Sequence, residues 1–202
     1  MQWKIRKYLE VSPAFVALLC AYFYFDPAGT FLPFLCAVTL HEAGHLLALR
    51  CMGAQVHKIS FQLTGAIIRT QPLRYPQELW AAAAGPAVNL LCTLVFLHKS
   101  PAFALVNLLL LFFNLLPLYP LDGGRILRAL LHMLLSDGAA RIVERIISTA
   151  CLAAAAACAA YLTCIWHAGP WPIFLCVLLI LRALDTSLPF RRRRAHAYNE
   201  NF

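Results

Sequence analysis

The stretch from Thr30 to Leu49, TFLPFLCAVTLHEAGHLLAL, decides the fold. Its one formal charge is Glu42, and its length matches the ~20 apolar residues that carry a helix across a bilayer. Inside it, His41-Glu42-Ala43-Gly44-His45 reads H-E-x-x-H. On a helix, residues four apart share a face, so both imidazoles can hold one Zn²⁺. Glu42 sits about 100° around the helix from His41, close enough to take a proton from a water at the metal. With seven His and five Glu in 202 residues, composition alone gives roughly 0.006 such matches, so chance is a poor explanation. An ionisable Glu at membrane depth is also costly unless it has a role.

The rest of the chain agrees with a membrane setting. It is 61% hydrophobic and 13% charged, well below the roughly 25% charged residues of a soluble domain. The net charge of +8 resides in loops and reports orientation, not nucleic-acid binding. Eight Cys fall in or beside apolar runs without a C-x-x-C pair, and they read as small hydrophobes, not as disulfides or zinc ligands.

The predicted architecture is an all-α polytopic membrane protein with about six spans and a small membrane-associated β-hairpin. The spans are read at 9–25, 31–52, 79–97, 101–119, 146–166 and 173–184, within one domain over 1–190 followed by a basic tail, 191–202. The first span is expected to be uncleaved, with Trp3 and Tyr8 at the interface. A cytoplasmic N-terminus places sixteen Lys and Arg inside and only Lys99 outside, so both termini are expected to be cytoplasmic, in a bacterial cell membrane. His41 and His45 then lie in the cytoplasmic half. Arg191 to Arg194 are suited to anionic headgroups.

Between the second and third spans the period changes. Ile59, Phe61 and Leu63 alternate with Ser60, Gln62 and Thr64; Gly65 can turn, and Ala66-Ile67-Ile68 returns. This predicts a strand-turn-strand unit, which needs support from another element. An exposed edge of it, at Ile59, Phe61 or Ile67, can pair with an extended peptide.

A catalytic zinc needs a third protein ligand and an open position. Asp122 is the strongest candidate: it is 77 residues after His45, at the inward end of the fourth span, in Asn114-Leu-Leu-Pro117-Leu-Tyr-Pro120-Leu-Asp122-Gly123-Gly124. Two prolines free nearby carbonyls there, and irregular backbone is tolerated where it lines a cavity. Its alternative role is as a helix N-cap. His57, His98, His132, His167 and His196 are weaker ligand candidates by position. Gly85-Pro86-Ala87-Val88-Asn89 can let helices approach closely. Asn89 is read as a structural interhelical hydrogen bond; Asn114 is read as a donor to a substrate carbonyl or oxyanion.

These three motifs together resemble the site-2 protease family of intramembrane zinc metalloproteases, most like the branch of stage IV sporulation protein FB. The resemblance implies His41, His45 and Asp122 as ligands of one Zn²⁺ per chain, Glu42 as general base and Asn114 against the substrate. It implies an endopeptidase of a membrane-associated protein segment, in regulated intramembrane proteolysis of a precursor such as a pro-sigma factor, with an inhibitory membrane partner. The CBS domain of many members of that branch is not expected here, and neither is a PDZ domain. The competing function is a non-enzymatic membrane metal carrier or assembly factor. A carrier needs ligands along a path to both faces, whereas the candidates here cluster in one leaflet.

Overall fold

The computed structural model describes residues 9–26, 29–62, 65–165, 169, 172–173, 176–177 and 179–181. Its elements are β1 (Leu9–Val11), α1 (Pro13–Tyr24), α2 (Phe31–Cys51), β2 (Val56–Gln62), β3 (Gly65–Thr70), α3 (Tyr75–Phe96), α4 (Pro101–Asn114), α5 (Asp122–Leu134) and α6 (Asp137–Cys164). They divide into two compact units, Met1–Leu115 and Leu116–Phe202.

In the first unit α2 packs on α3 and α4, and α3 packs on α4. The α2 stripe that faces inward is Ala37, His41, Gly44, His45 and Leu49, spaced as one helical face. Opposite it α3 buries Ala81, Ala82, Gly85, Pro86 and Asn89. Small residues let the backbones close: a Cβ at Gly44 would stand 2.8 Å from Val88 Cγ2 and 2.9 Å from the Ala84 carbonyl. Asp26 holds the entry to α2, accepting from the Phe31 N–H at 2.6 Å and from Thr30 Oγ1 at 2.9 Å. Its carboxylate serves the orphan donors of that helix end.

The expected hairpin is present as β2 and β3, antiparallel, with Ile59 opposite Ile68 and Ser60 opposite Ile67. A third strand, β1, was not expected. It pairs in parallel with β2, Glu10 opposite Ser60, giving the order β1-β2-β3. The segment Leu9–Val11 is therefore strand and not the start of the first span. Pro13 opens α1 at a position where its missing N–H costs nothing, and Ser12 accepts from the Phe15 N–H at 3.1 Å. Lys58 Nζ lies 2.7 Å from Glu10 Oε2 and ties β1 to β2. That hydrogen bond and charge hold the Glu10 carboxyl below its usual range. The Phe15 ring rests 5.6 Å from the Phe61 ring, so α1 supplies the support that a lone hairpin lacks.

The second unit begins with a turn. α4 stops at Asn114, short of the expected Tyr119, because Pro117 cannot donate to a helix and biases the residue before it away from helical backbone. Leu121 N–H bonds the Leu118 carbonyl at 2.7 Å, and Ser148 Oγ on α6 donates to the Pro117 carbonyl at 3.1 Å. α5 then carries Asp122 as its first residue, with Leu121 and not Asp122 as the N-cap, and is amphipathic, an element not among the expected spans. α6 begins at Asp137, nine residues before the expected span.

Among the described residues three helices are long and apolar enough to cross a membrane: α2, α3 and α6. At 21, 22 and 28 residues each reaches about 30 Å or more at ~1.5 Å per residue. α1 and α4 are apolar but shorter. Half of the expected sixth span, 173–184, falls outside the described residues, as do Trp3, Tyr8 and the tail 191–202.

Candidate metal centre

The H-E-x-x-H residues lie on α2 as their spacing requires. His41 and His45 are each 5% exposed, one turn apart on the buried stripe. Their Nε2 atoms are 3.1 Å apart and their rings stand at 87°. The opposite nitrogens are held by α3. His45 Nδ1 bonds the Ala81 carbonyl at 2.7 Å, and a carbonyl only accepts, so Nδ1 carries the hydrogen. His41 Nδ1 bonds Asn89 Oδ1 and carries its hydrogen likewise.

Those two bonds put a hydrogen on each Nδ1, so that in its neutral form each ring offers Nε2 as an acceptor. Two acceptor lone pairs 3.1 Å apart repel, and a cation between them removes the repulsion. Two nitrogens ~2.0–2.1 Å from one tetrahedral Zn²⁺ are about 3.3 Å apart, so the pair fits zinc. The second nitrogen of each ring is already bonded to an outer partner, as zinc-ligating histidines require.

Gly85 keeps this place open. A Cβ there would lie 2.5 Å from His45 Cε1 and 2.7 Å from His41 Cε1, with His45 Nε2 closer still. The Gly85-Pro86 pair thus serves the imidazoles directly as well as close helix approach. Asn89 also does more than the structural role expected of it. Its Nδ2 donates to Asn107 Oδ1 on α4 at 2.8 Å while its Oδ1 meets His41. Asn107 escaped the sequence reading; its signal was a single amide in the apolar run from Pro101 to Phe113.

Glu42 is half-buried, next to His41 on α2. Asn114 is half-buried, and its Nδ2 donates to the Leu110 carbonyl of its own helix at 3.1 Å. In the second unit, Asp122 is 5% exposed, and Arg125 Nη1 approaches its Oδ1 at 3.3 Å. Gly124 allows the turn before it: a Cβ there would stand 2.6 Å from the Leu118 carbonyl oxygen and nearer the Tyr119 nitrogen. His132, on α5, pairs with Asp137 at 2.8 Å. β2 is paired on both sides, so Ile59 and Phe61 offer no open strand edge; Ile67 lies on β3, paired to β2 alone among the described strands.

Comparison with known proteins adds three findings. Residues 97–158 match the model of peptidase family M50. A zinc metalloprotease of Methanocaldococcus jannaschii is 35% identical over 47% of this chain and 32% of its own. Rip3 of Mycobacterium tuberculosis is 34% identical over 52% of this chain and 31% of its own. The matched part therefore spans about a third of those curated relatives' length. The solved site-2 protease from Methanocaldococcus jannaschii shares the fold, with a TM-score of 0.65 at 23% identity over 88% of this chain and 89% of that one. Residues 97–158 are thus similar to peptidase family M50, part of the chain is similar to curated zinc metalloproteases, and its fold is that of a solved site-2 protease.

Proposed function

We propose that this protein is an intramembrane zinc endopeptidase that cuts a membrane-associated protein segment in the cytoplasmic half of the bilayer. The observation that carries the reading is the buried His41–His45 pair, with both Nε2 atoms converging inside an apolar helix beside Glu42. Zinc held by His41, His45 and Asp122 would lower the pKa of a water to ~7 and would polarise the scissile carbonyl. Glu42 takes the proton of the attacking water and returns it to the leaving amine. Asn114 turns its amide to the substrate carbonyl or the oxyanion. The sixteen-to-one distribution of Lys and Arg supports cytoplasmic termini and the inward leaflet for the site. A regulatory precursor such as a pro-sigma factor, restrained by a membrane partner, is the finer substrate reading.

Asp122 is the third ligand in this proposal. It is a carboxylate buried at the start of a helix, within the stretch that the family model matches. Loss of an outer partner of a zinc ligand costs 10–100-fold in affinity, so loss of a ligand itself costs more than about a hundredfold. Asp122→Ala is expected to weaken zinc by at least that much in a chelator competition, with cleavage lost. Full zinc affinity and full cleavage in that variant would remove Asp122 from the site.

The substrate must be unwound before it is cut, since helical peptide groups are covered by their own hydrogen bonds. β3 is the strand whose outer side is proposed to hold it. Donors along an antiparallel strand alternate sides, so a proline scan from Ala66 to Arg69 should show a two-residue period. Where the N–H points away from β2, proline should slow cleavage of a single-span reporter about tenfold and leave zinc in place. Equal wild-type rates at all four positions would make the segment an ordinary connection.

A further inference from the structure

Asn107 is fully buried, and so is Asn89. They form a chain of amides from α4 through α3 to α2. Asn107 Nδ2 donates to the Phe103 carbonyl at 2.9 Å; Asn107 Oδ1 accepts from Asn89 Nδ2 at 2.8 Å; Asn89 Oδ1 accepts from His41 Nδ1. We propose that Asn107 is a positioning residue which selects the His41 tautomer that presents Nε2 as a metal ligand. This rests on the zinc reading of the histidine pair.

His41 and Asn89 by themselves can satisfy each other in two ways. An Asn89 oxygen facing the ring takes a hydrogen from Nδ1 and leaves Nε2 as a ligand. An Asn89 amino group facing the ring donates to Nδ1, and the ring hydrogen then sits on Nε2, where it blocks the metal. The local geometry is nearly the same in both. What breaks the tie must be a group of fixed polarity further along. The Phe103 carbonyl is such a group, because it can only accept. It obliges Asn107 to offer Nδ2 on that side and Oδ1 on the other. Asn89 must then turn Nδ2 towards Asn107, since the reverse would set two oxygens together in an apolar core. The polarity of one backbone carbonyl on α4 thus reaches the ring on α2 across three helices.

A purely interhelical role is separable from this one. Thr93 provides the comparison: its hydroxyl, on the same helix pair, bonds the Asn89 carbonyl at 2.8 Å and the Ala104 carbonyl at 3.4 Å, outside the amide chain. Asn107→Leu removes both amide bonds at similar volume. Asn107→Asp, neutral in this apolar setting, keeps the polarity, with O–H to Phe103 and C=O towards Asn89. Asn107→Ala replaces the leucine variant if that chain does not fold.

Two quantities are measured on the full chain: zinc affinity by chelator competition, and the ¹⁵N spectrum of metal-free, ¹⁵N-histidine-labelled protein, in which the His41 tautomer is read directly. Wild type should show His41 with hydrogen on Nδ1 alone. Asn107→Leu should show both tautomers and bind zinc about 10–100-fold more weakly. Asn107→Asp should return both readings to wild type. Thr93→Val should lower the melting temperature and change neither. A single Nδ1–H tautomer with unchanged zinc affinity in Asn107→Leu overturns the proposal, as does equal weakening in Thr93→Val. Wild-type protein that binds no zinc defeats the protease reading instead, and the nitrogen spectrum still decides the amide chain.

Discussion

Glu42→Gln is expected to leave the protein folded and zinc-loaded while stopping proteolysis. The two side chains have the same shape, so α2 keeps its packing, and His41 and His45 keep their bonds to Asn89 and Ala81. What changes is basicity. A glutamine cannot take a proton from water, and general base catalysis is worth about 10²–10⁴-fold. Its position favours the role: it follows His41 directly, half-buried in an otherwise uncharged run, where a carboxylate without a task would be a cost. The measurement is zinc content and melting temperature beside cleavage of co-expressed single-span reporters carrying helix-breaking residues in their cytoplasmic half. Cleavage at the wild-type rate by a zinc-loaded Glu42→Gln protein would assign the proton transfer to another group. Loss of zinc together with cleavage would make Glu42 part of the metal site.

Much of this centre was legible in the sequence because helix geometry is local. The i, i+4 spacing of His41 and His45 puts two imidazoles on one face whatever the tertiary structure. The alternation from Val56 onward similarly announced two strands. β1 was not legible, since Leu9-Glu10-Val11 merges with the apolar run behind it, and only the partner strand 50 residues later makes it a strand. α5 is not legible because Asp122-Gly123-Gly124 resembles a turn, whereas Gly124 answers to the close approach of Leu118 and Tyr119. The partners of His41 and His45 lie 48 and 36 residues away on α3. No periodicity reports such a pairing; it is a property of how two helices face each other. Asn89 shows the consequence, since a lone amide in an apolar span announces a need for a partner and not which partner it finds.

Gly85 gives the sharpest test of how those helices meet. Replacing glycine by alanine inside a helix ordinarily stabilises it by up to ~1 kcal/mol, and α3 has no positive φ at this position that would penalise a side chain. Propensity alone therefore predicts a neutral or helpful change. The packing predicts the opposite, because the added methyl would fall on the edges of both imidazoles, nearest His45 Nε2. α3 cannot simply withdraw. It is closed against α2 one turn away, where Gly44 meets Val88 and Ala84, and Ala37, Ala81 and Ala82 are buried at 1% exposure or less. The imidazole must yield, and turning it breaks the bond from His45 Nδ1 to the Ala81 carbonyl that sets its tautomer. Since losing such an outer bond alone costs 10–100-fold in metal affinity, Gly85→Ala is expected to weaken zinc by about a hundredfold or more and to abolish cleavage. Gly138→Ala is the control: a Cβ there meets nothing within 4 Å, and zinc affinity should be unchanged. Chelator competition and thermal unfolding on the two variants measure both effects. A Gly85→Ala protein that folds and binds zinc as tightly as wild type would mean that the metal does not sit between these two rings.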